Sequence, residues 1–536
     1  MTTDVNTSTQ TVVWGVGGLV ALAPLLRDEP GVTRALSDPS ARLAIPEVGR
    51  PISLAALAQL SDRRPLVIAC PTGAMAGQMY DDLGQFLPAG EVAHFPAWET
   101  LPFERVSPNV ETMGQRLELL WRVRDPERCP KVIVAGVRAL LQKLGPGATD
   151  VEPIVIHPGA VVDPDHLGAR LVEFGYRREE LVEHRGEFAR RGAIVDVFPS
   201  TADAPVRIDL WGDEVDRLTR FGVNDQRSID DLDEVLIFPA RELMPSEDVR
   251  RRAADLVASE PWGREQWERL AEGAHFDGME SWLPWLVDDD VLLTHVVPSS
   301  AKVVLIEPRR MRDRATDLLA EEDDLAKALA STWARDPDKR FPRLHAEPDV
   351  LLAQSGSVWT VDSTPESPDT PVVSASGWGP IAGDGSGLTT RLVELIGQGY
   401  TVTIAADGAG SAARLHQILL DHGVDFPVVA RADTDLTRPG GRIVVAPLHR
   451  GCTLPNAKLA VVAESDLTGR RRAHRTARPR RREGTTTFED LKPGNYVVHH
   501  QHGVGKYEGM VKRTIGGVER DYLLVAYKGG DKLYVP

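Results

Sequence analysis

The sequence predicts a multidomain α/β protein with a small β-rich domain at its C-terminal end. Three observations lead to this fold class: a length of 536 residues, continuous apolar strands that alternate with helices, and short C-terminal strands separated by glycine turns. A chain of this length needs more than one hydrophobic core. Continuous apolar strands between helices are typical of a mostly parallel sheet with helices on both faces.

Residues 1–155 are predicted to form the first part of an α/β domain. The buried strands RPLVIAC and KVIVAG alternate with helices at Gly73 to Leu87 and Val110 to Val123. The loop CPTGAMAG lies where a nucleotide-binding fold places its phosphate loop, but a working loop ends in Gly-Lys followed by Ser or Thr. The lysine and the hydroxyl are absent. We therefore expect a degenerate nucleotide-binding domain with no catalytic and no cofactor-binding residue.

Residues 156–245 are predicted to form a small α+β module whose sheet has one apolar and one polar face. Two strand-like runs, PVRIDLW and EVDRLTRF, flank a tight Gly-Asp turn. Because side chains alternate along a strand, Arg207, Asp209 and Trp211 share the polar face. The preceding strand, Ala193 to Phe198, alternates in the same way. Arginine and aromatic residues together suit a protein partner, although an ordinary half-exposed sheet has the same pattern.

The next segments continue the α/β pattern. Residues 246–350 carry helices around the strand KVVLIEP and are expected to complete the first sheet. Residues 351–371 contain the run DSTPESPDTP and are predicted to be a linker. Residues 372–466 form a second small α/β domain of unknown role. Residues 467–484 are an arginine-rich linker, which either stays solvated or follows nucleic-acid phosphates.

Residues 485–536 are predicted to form a small, incomplete β-barrel. Short strands of alternating polarity are separated by Pro-Gly, Gly-Gly and Gly-x-Gly turns. Metal ligation by His499, His500 and His502 is not expected. Adjacent histidines point to opposite sides of a strand, and no Cys or Glu cluster completes a ligand shell.

Composition narrows the class of protein. The formal net charge of −16 disfavours nonspecific coating of nucleic acid by the chain as a whole. Cys70, Cys129 and Cys452 have neither zinc-ligand spacing nor an even count, as expected of a reducing compartment without a metal site. No run of 18 apolar residues occurs and the N-terminus lacks a basic n-region, so a cytoplasmic location without a membrane contact is expected.

The stretch HRGEFARRGAIVDVFPS followed by PVRIDLWGDEVDRLTRF closely resembles the module shared by the repair protein UvrB and the transcription-repair coupling factors. The resemblance covers roughly residues 174–240. In that family the module is inserted into a degenerate UvrB-like α/β domain and docks on the repair protein UvrA. The string HFPAWETLPFERVSPNVETMGQRL also resembles that domain. The family's recruiting residues then correspond to Arg177, Arg191 and Phe198.

The C-terminal string VVHHQHGVGKYEGM closely resembles the RNA-polymerase-interacting domain that coupling factors share with CarD-type regulators. This resemblance implies a Tudor-like barrel that lays one edge strand against the polymerase β subunit. The hairpin from Met510 to Val518 would make that contact through Lys512, Arg513 and Ile515. A leucine is common in the family near Arg513 and is not found here.

Together these resemblances imply the N-terminal recruitment half of a coupling factor, which brings UvrA to RNA polymerase stalled on damaged DNA. ATP, magnesium and double-stranded DNA would be bound by a translocase half that we expect to lie outside this chain. Two alternatives stay open. A UvrB-like damage-recognition helicase would need nucleotide binding, whereas a CarD-like transcription regulator would leave the UvrB-like module without a role.

Overall fold

The computed structural model describes residues 18–103, 105–287, 289–332, 341–353, 357–379, 385–429 and 435–468, together with 494, 496–499, 503–515, 518–526 and 532–535. The chain divides into two compact units, Met1–Arg472 and Ala473–Pro536, which are described separately. The arginine-rich linker predicted at 467–484 lies outside the described residues, apart from its first two positions. His500 and His502 lie outside them as well.

Strands and helices alternate through most of the first unit, and the second unit contributes strands. The strands are β1 (Arg42–Ala44), β2 (Leu66–Cys70), β3 (Val92–Phe95), β4 (Val132–Gly136), β5 (Ile154–Ile156), β6 (Arg177–Arg178), β7 (Glu187–Arg191), β8 (Ile194–Val197), β9 (Val206–Trp211), β10 (Glu214–Phe221), β11 (Ser228–Asp231), β12 (Val235–Ile237), β13 (Lys302–Ile306), β14 (Trp359–Asp362), β15 (Thr401–Ala406), β16 (Gly440–Val445), β17 (Cys452–Leu454), β18 (Leu459–Ala463), β19 (Tyr496–His499), β20 (Gly503–Ile515), β21 (Val518–Ala526) and β22 (Lys532–Val535). The helices are α1 (Pro30–Ser37), α2 (Arg50–Leu60), α3 (Gly73–Phe86), α4 (Val110–Val123), α5 (Val137–Leu141), α6 (Pro164–Glu173), α7 (Glu247–Ser259), α8 (Arg264–Ala271), α9 (Leu283–Leu286), α10 (Leu293–Val296), α11 (Pro308–Thr332), α12 (Pro348–Ala353), α13 (Gly385–Gly397), α14 (Ala409–Asp421) and α15 (Glu464–Thr468).

One six-stranded sheet, which we call the large parallel sheet, is parallel throughout and has the strand order β1-β14-β13-β2-β4-β3. Its central strands are apolar on both faces because helices cover both sides. On β2, Leu66 and Ile68 pack into one core and Val67 and Ala69 into another. Strands β13 and β14 follow the module in sequence yet pair with β2 and β1, so the later segment does complete the first sheet.

The prediction that residues 351–371 are a linker is wrong for part of that segment. Trp359–Asp362 forms β14, an inner strand that pairs in parallel with both β1 and β13. Its four residues, WTVD, are too few to stand out beside the run rich in proline, serine and threonine that follows. Trp359 and Val361 are buried in the core of the parallel sheet, so the segment anchors the fold here.

The module predicted at residues 156–245 contains a six-stranded sheet with the order β11-β10-β9-β8-β7-β6. Only β6 and β7 pair in parallel, and the other neighbours are antiparallel. Strands β5 and β12 form a separate antiparallel pair. Leu167 and Leu171 of α6 pack against one face of the sheet and close its core.

A third sheet, with the order β16-β15-β18-β17, forms the small α/β domain in the segment predicted at 372–466. Leu454, Leu459 and Val461 of this sheet belong to the same buried cluster as β2 of the large parallel sheet. The two sheets therefore share a core.

Among the described helices, none is long and apolar enough to cross a lipid bilayer.

The second unit contains an antiparallel sheet with the consecutive order β19-β20-β21-β22. Strand β20 is long: its first residues pair with β19, and Lys506 to Ile515 pair with β21. This is the meander that alternating short strands and glycine turns predict. Closure of these strands into a Tudor-like barrel stays a prediction.

Candidate partner-binding face

The polar face of the module sheet is assembled by strand register. Directly opposed residues of neighbouring strands share a face. Arg177 of β6 lies directly opposite Glu187 of β7. Two rows then cross strands β7 to β10 on the same face: Ala189, Asp196, Arg207 and Thr219 in one, and Arg191, Ile194, Asp209 and Arg217 in the other. We call this surface the polar face.

The opposite face explains why the polar face must point outward. Val195, Val197, Val206, Ile208 and Leu210 are all buried in one cluster with α6. The alternation predicted for β9 is confirmed, since its residues are by turns buried and at least partly exposed. Slipping the register by one residue would drive the arginines and aspartates into that core. The apolar set therefore fixes which side chains are available to a partner.

Asp196 is the centre of the polar face. Its carboxylate is 1% exposed and accepts hydrogen bonds from Arg191 Nη2 at 2.6 Å, Arg207 Nε at 2.7 Å and Arg207 Nη2 at 2.9 Å. The hydrogen bonds that Arg207 donates to Asp196 raise the pKa of Arg207 above its ordinary value. The guanidinium of Arg207 also lies over the Phe221 ring at 4.8 Å. A buried carboxylate thus holds two arginines at fixed positions on the surface.

Arg191 combines this fixed position with exposure. Its side chain is 49% exposed while Nη2 is bound to Asp196, so its other donors remain accessible. A pre-positioned guanidinium loses less conformational entropy when it meets a carboxylate. Arg191 is therefore well placed to contact a partner, as the sequence resemblance implies.

Arg177 lies on the edge strand β6 and is 62% exposed. It is held more loosely than Arg191, because its contact with Glu187 Oε1 is 3.4 Å long. Glu187 itself is buried and accepts hydrogen bonds from the backbone N–H groups of Glu183 and His184 at 2.9 and 2.8 Å. The Glu187 carboxylate that contacts Arg177 thus also holds the loop at Glu183 and His184 in place.

Phe198 does not have the exposure expected of an aromatic contact. It is 6% exposed and packs in a small cluster with Val182, Ala189 and Phe221. The guanidinium of Arg185 lies 5.3 Å from its ring. Strand alternation places Phe198 on the polar face, but this local apolar cluster covers it. Phe198 therefore packs beneath the surface and offers little area to a partner.

Two features of this face were not identified as site residues from the sequence. Asp196 acts through its register with Arg207, which depends on the pairing of β8 and β9 and is invisible in a linear pattern. Alternation predicts Trp211 on the polar face, but the family resemblance does not imply a contact for it. It is 81% exposed, the highest value among the large apolar side chains in the described part of the chain. A tryptophan on the outward-facing side of a strand is the sequence signal that indicates a contact residue here.

The phosphate-loop position of the large sheet is occupied by ordinary helix-capping contacts. Thr72 caps α3, and its Oγ1 accepts a hydrogen bond from the Met75 backbone N–H at 3.2 Å. The loop also packs tightly on β4, since a Cβ at Gly136 would lie 2.9 Å from the Gly73 nitrogen.

Within the residues that the structure describes, no group of three His, Cys, Asp or Glu side chains is arranged to hold a metal ion.

In the second unit, the segment predicted to meet polymerase is one strand of a hairpin. Lys512, Arg513 and Ile515 pair with Asp521, Arg520 and Val518 of β21, and their side chains lie outside the described residues. Strand β19 pairs only with residues 503–506 of β20. Within the described strands, the outer edge of residues 510–515 has no neighbour. We call this segment the hairpin arm.

Three separate segments of the chain match models of known protein families. Residues 154–243 match the UvrB interaction domain, residues 398–467 match the MFD D3 domain, and residues 491–536 match the CarD-like/TRCF RID domain. The transcription-repair-coupling factor of Mycobacterium bovis is 34% identical over 97% of this chain and 46% of its own length. Those of Bacillus subtilis and Escherichia coli are 29% and 27% identical over 91% and 90% of the chain, and 43% of their own lengths.

These matches first define a class: proteins in which a UvrB-type interaction domain and an RNA-polymerase-interacting domain occur in one chain. Within that class, the chain belongs with the transcription-repair-coupling factors, whose N-terminal half it matches. It spans less than half the length of these relatives.

Proposed function

We propose that this chain is the recruiting part of a coupling factor and binds two proteins. The polar face of the UvrB interaction domain binds UvrA, and the hairpin arm binds the β subunit of RNA polymerase. Stalled polymerase on damaged DNA is thereby linked to nucleotide excision repair. The observation that carries this proposal is Arg191, an exposed guanidinium fixed by a buried carboxylate within the matched interaction domain.

The UvrA contact follows from the chemistry of the polar face. Arginine is enriched among residues that dominate protein interfaces, and burying one against a partner carboxylate gives both affinity and register. Arg177 and Arg191 lie on neighbouring strands of the same face. Phe198 supports Arg191 from beneath, since it packs in one cluster with Ala189 of β7, the strand that carries Arg191.

The test of this contact is UvrA binding by the whole chain, measured by calorimetry. Arg191→Ala should weaken binding by about 2 kcal/mol or more, the typical cost of truncating a central arginine. Phe198→Ala should weaken binding together with the stability of the module, because the ring is buried. Arg264→Ala, on the exposed surface of α8, is the matched control and should leave binding unchanged. UvrA binding that survives Arg191→Ala and Arg177→Ala combined would remove the basis of the proposal.

The polymerase contact follows from the backbone of the hairpin arm. A strand edge without a neighbour offers N–H and C=O groups to a strand of another protein, and flanking side chains set the register. Basic residues beside that edge favour association with an acidic surface, an effect that weakens with added salt. Lys512, Arg513 and Ile515 are therefore the proposed contact residues.

The polymerase contact can be tested on the same chain. Arg513→Glu and Ile515→Asp should each weaken binding to the β subunit and leave UvrA affinity unchanged. Thr514→Pro should be at least as damaging, because proline removes a backbone donor. Tyr496→Ser, an exposed position on β19 away from the arm, is the control. If β-subunit binding persists in all three arm variants, a different edge makes the contact.

The helicase alternative requires nucleotide binding by this chain. The proposal instead assigns ATP and magnesium to the translocase half of the relatives and expects no ATP turnover here, with or without DNA. Turnover by the purified chain would favour the UvrB-like helicase. A CarD-like regulator would bind the β subunit but not UvrA, so the UvrA titration separates it from the recruiting function.

A further inference from the structure

The described part of the module has an exposed apolar corner at one end of the polar face. Trp211 on β9 lies opposite Glu214 on β10, and Glu214 lies opposite Val161 in the loop before α6. All three residues therefore share one face, with the carboxylate between two apolar side chains. Trp211 is 81% exposed and Val161 is 76% exposed. Folding leaves this apolar surface in water, which is costly unless a partner covers it.

The backbone fixes this corner from both sides. The Val162 N–H donates to the Asp213 carbonyl at 2.6 Å, and the Val215 N–H donates to the Ala160 carbonyl at 2.9 Å. Ala160 and Val162 pack against the core of the module, whereas Val161 between them points away from it. The exposure of Val161 thus follows from strand alternation in a hydrogen-bonded segment. The corner is preformed.

The corner lies at the same end of the sheet as Arg191. The turn between β7 and β8 follows Arg191, and the turn between β9 and β10 follows Trp211. The Leu210 N–H donates to the Ala193 carbonyl at 2.9 Å, which brings the two turns side by side. One partner surface can therefore cover Arg191 and Trp211 together. Because the corner is continuous with the proposed docking face, the partner that covers it is the one that binds Arg191.

Charge defines the chemistry of that partner surface. Asp213, Glu214 and Asp216 are exposed around the corner. An apolar anchor inside an acidic rim suits a protein surface with an apolar cleft bordered by lysine or arginine. Tryptophan is the residue type most enriched among dominant interface contacts, and the buried Phe198 cannot fill that place from below the surface.

We infer that Trp211 and Val161, on either side of Glu214, form the apolar anchor of the UvrA-docking face and insert into a basic-rimmed cleft of that partner. This inference rests on the proposed function and adds to it the residues that supply apolar contact. Arg191 provides the charged contact at one side of the turn pair, and Trp211 provides the apolar contact at the other.

The test measures UvrA affinity of the whole chain carrying Trp211→Ala, Trp211→Phe, Val161→Ser or Glu214→Lys. Trp211→Ala should weaken binding by about 30-fold or more, as expected for a dominant aromatic contact, and Trp211→Phe should retain part of the affinity. Glu214→Lys should weaken binding most at low salt, because it reverses the rim charge. Val172→Ser is the control, since Val172 is exposed on α6, which covers the other side of the sheet.

The outcomes separate this inference from the proposed function. If Arg191→Glu abolishes UvrA binding while Trp211→Ala and Glu214→Lys bind within twofold of the unchanged chain, the corner is not an anchor and the docking face stands. If the unchanged chain does not bind UvrA, both this inference and the proposed UvrA-binding function are wrong. Thermal unfolding of each variant verifies folding, and the exposure of the substituted side chains predicts an unchanged midpoint.

Discussion

Replacing Glu242 by alanine tests how the UvrB interaction domain is fixed to the large parallel sheet. The Glu242 carboxylate is fully buried and accepts hydrogen bonds from Arg116 Nε at 2.7 Å and Nη2 at 3.0 Å. It also accepts one from Trp98 Nε1 at 2.7 Å. Arg116 belongs to α4 and is itself fully buried. The variant therefore leaves a guanidinium without its counter-ion inside the protein.

The expected loss is large compared with the stability of a domain. Removing one member of a buried ion pair costs about 3–5 kcal/mol, and whole domains are stable by only about 5–15 kcal/mol. Arg116 keeps a hydrogen bond to the Pro96 carbonyl at 2.9 Å and its contact with the Phe95 ring at 4.1 Å. We therefore expect a loss of about 3 kcal/mol, at the lower end of that range. Combining the change with Arg116→Met should recover part of the loss.

Native-state hydrogen exchange is the suitable assay, because unfolding of a multidomain chain does not follow two states. The amides of α4 should lose protection in Glu242→Ala by an amount that corresponds to that free energy. Asp231→Ala is the control, since its ion pair with Arg217 is exposed and should leave exchange unchanged. Equal protection of α4 in both variants would refute the reasoning that the buried pair holds these elements together.

Further predictions concern pH, thiol reactivity and backbone conformation. Burial lowers the pKa of His345 below 6.5, so the unfolded chain takes up this proton first; the free energy of unfolding should fall by up to about 1.4 kcal/mol per pH unit below pH 6.5, and His345→Gln should reduce that slope in urea titrations. All three cysteines are buried and burial raises the pKa of Cys70 to about 12, so iodoacetamide at pH 8 should label the chain only after denaturation. Gly278→Ala should lower the thermal midpoint more than Gly147→Ala: both glycines have positive φ, but only at Gly278 would a Cβ meet backbone, 2.2 Å from the Arg105 carbonyl oxygen.

Local periodicity was enough to predict most elements of the fold. The α4 helix begins and ends as its pattern predicts, and the alternation in PVRIDLW gives the buried and exposed residues of β9 correctly. These patterns are local consequences of burial on one side of a strand or helix. The place of β14 depends instead on which strands meet across more than 300 residues of sequence, and a four-residue strand carries no such information.

The candidate site was predictable in composition but not in geometry. Sequence placed Arg191 and Phe198 on one face, yet their exposures differ widely because Val182 and Phe221 cover the phenyl ring from other segments. The hydrogen bonds from Arg191 and Arg207 to Asp196 depend on the register of three strands, β7, β8 and β9. Exposure and pairing are properties of the packed sheet, so neither follows from the alternation of a single strand.

The central claim is that one chain binds UvrA and polymerase through separate surfaces. Its most direct test captures the chain on immobilised β subunit and then adds UvrA. The proposal predicts that UvrA is retained, that Arg191→Glu abolishes its retention without releasing the chain, and that Ile515→Asp prevents capture while UvrA binding in solution is unchanged. Displacement of the chain by UvrA, or loss of both interactions in either variant, would contradict the claim.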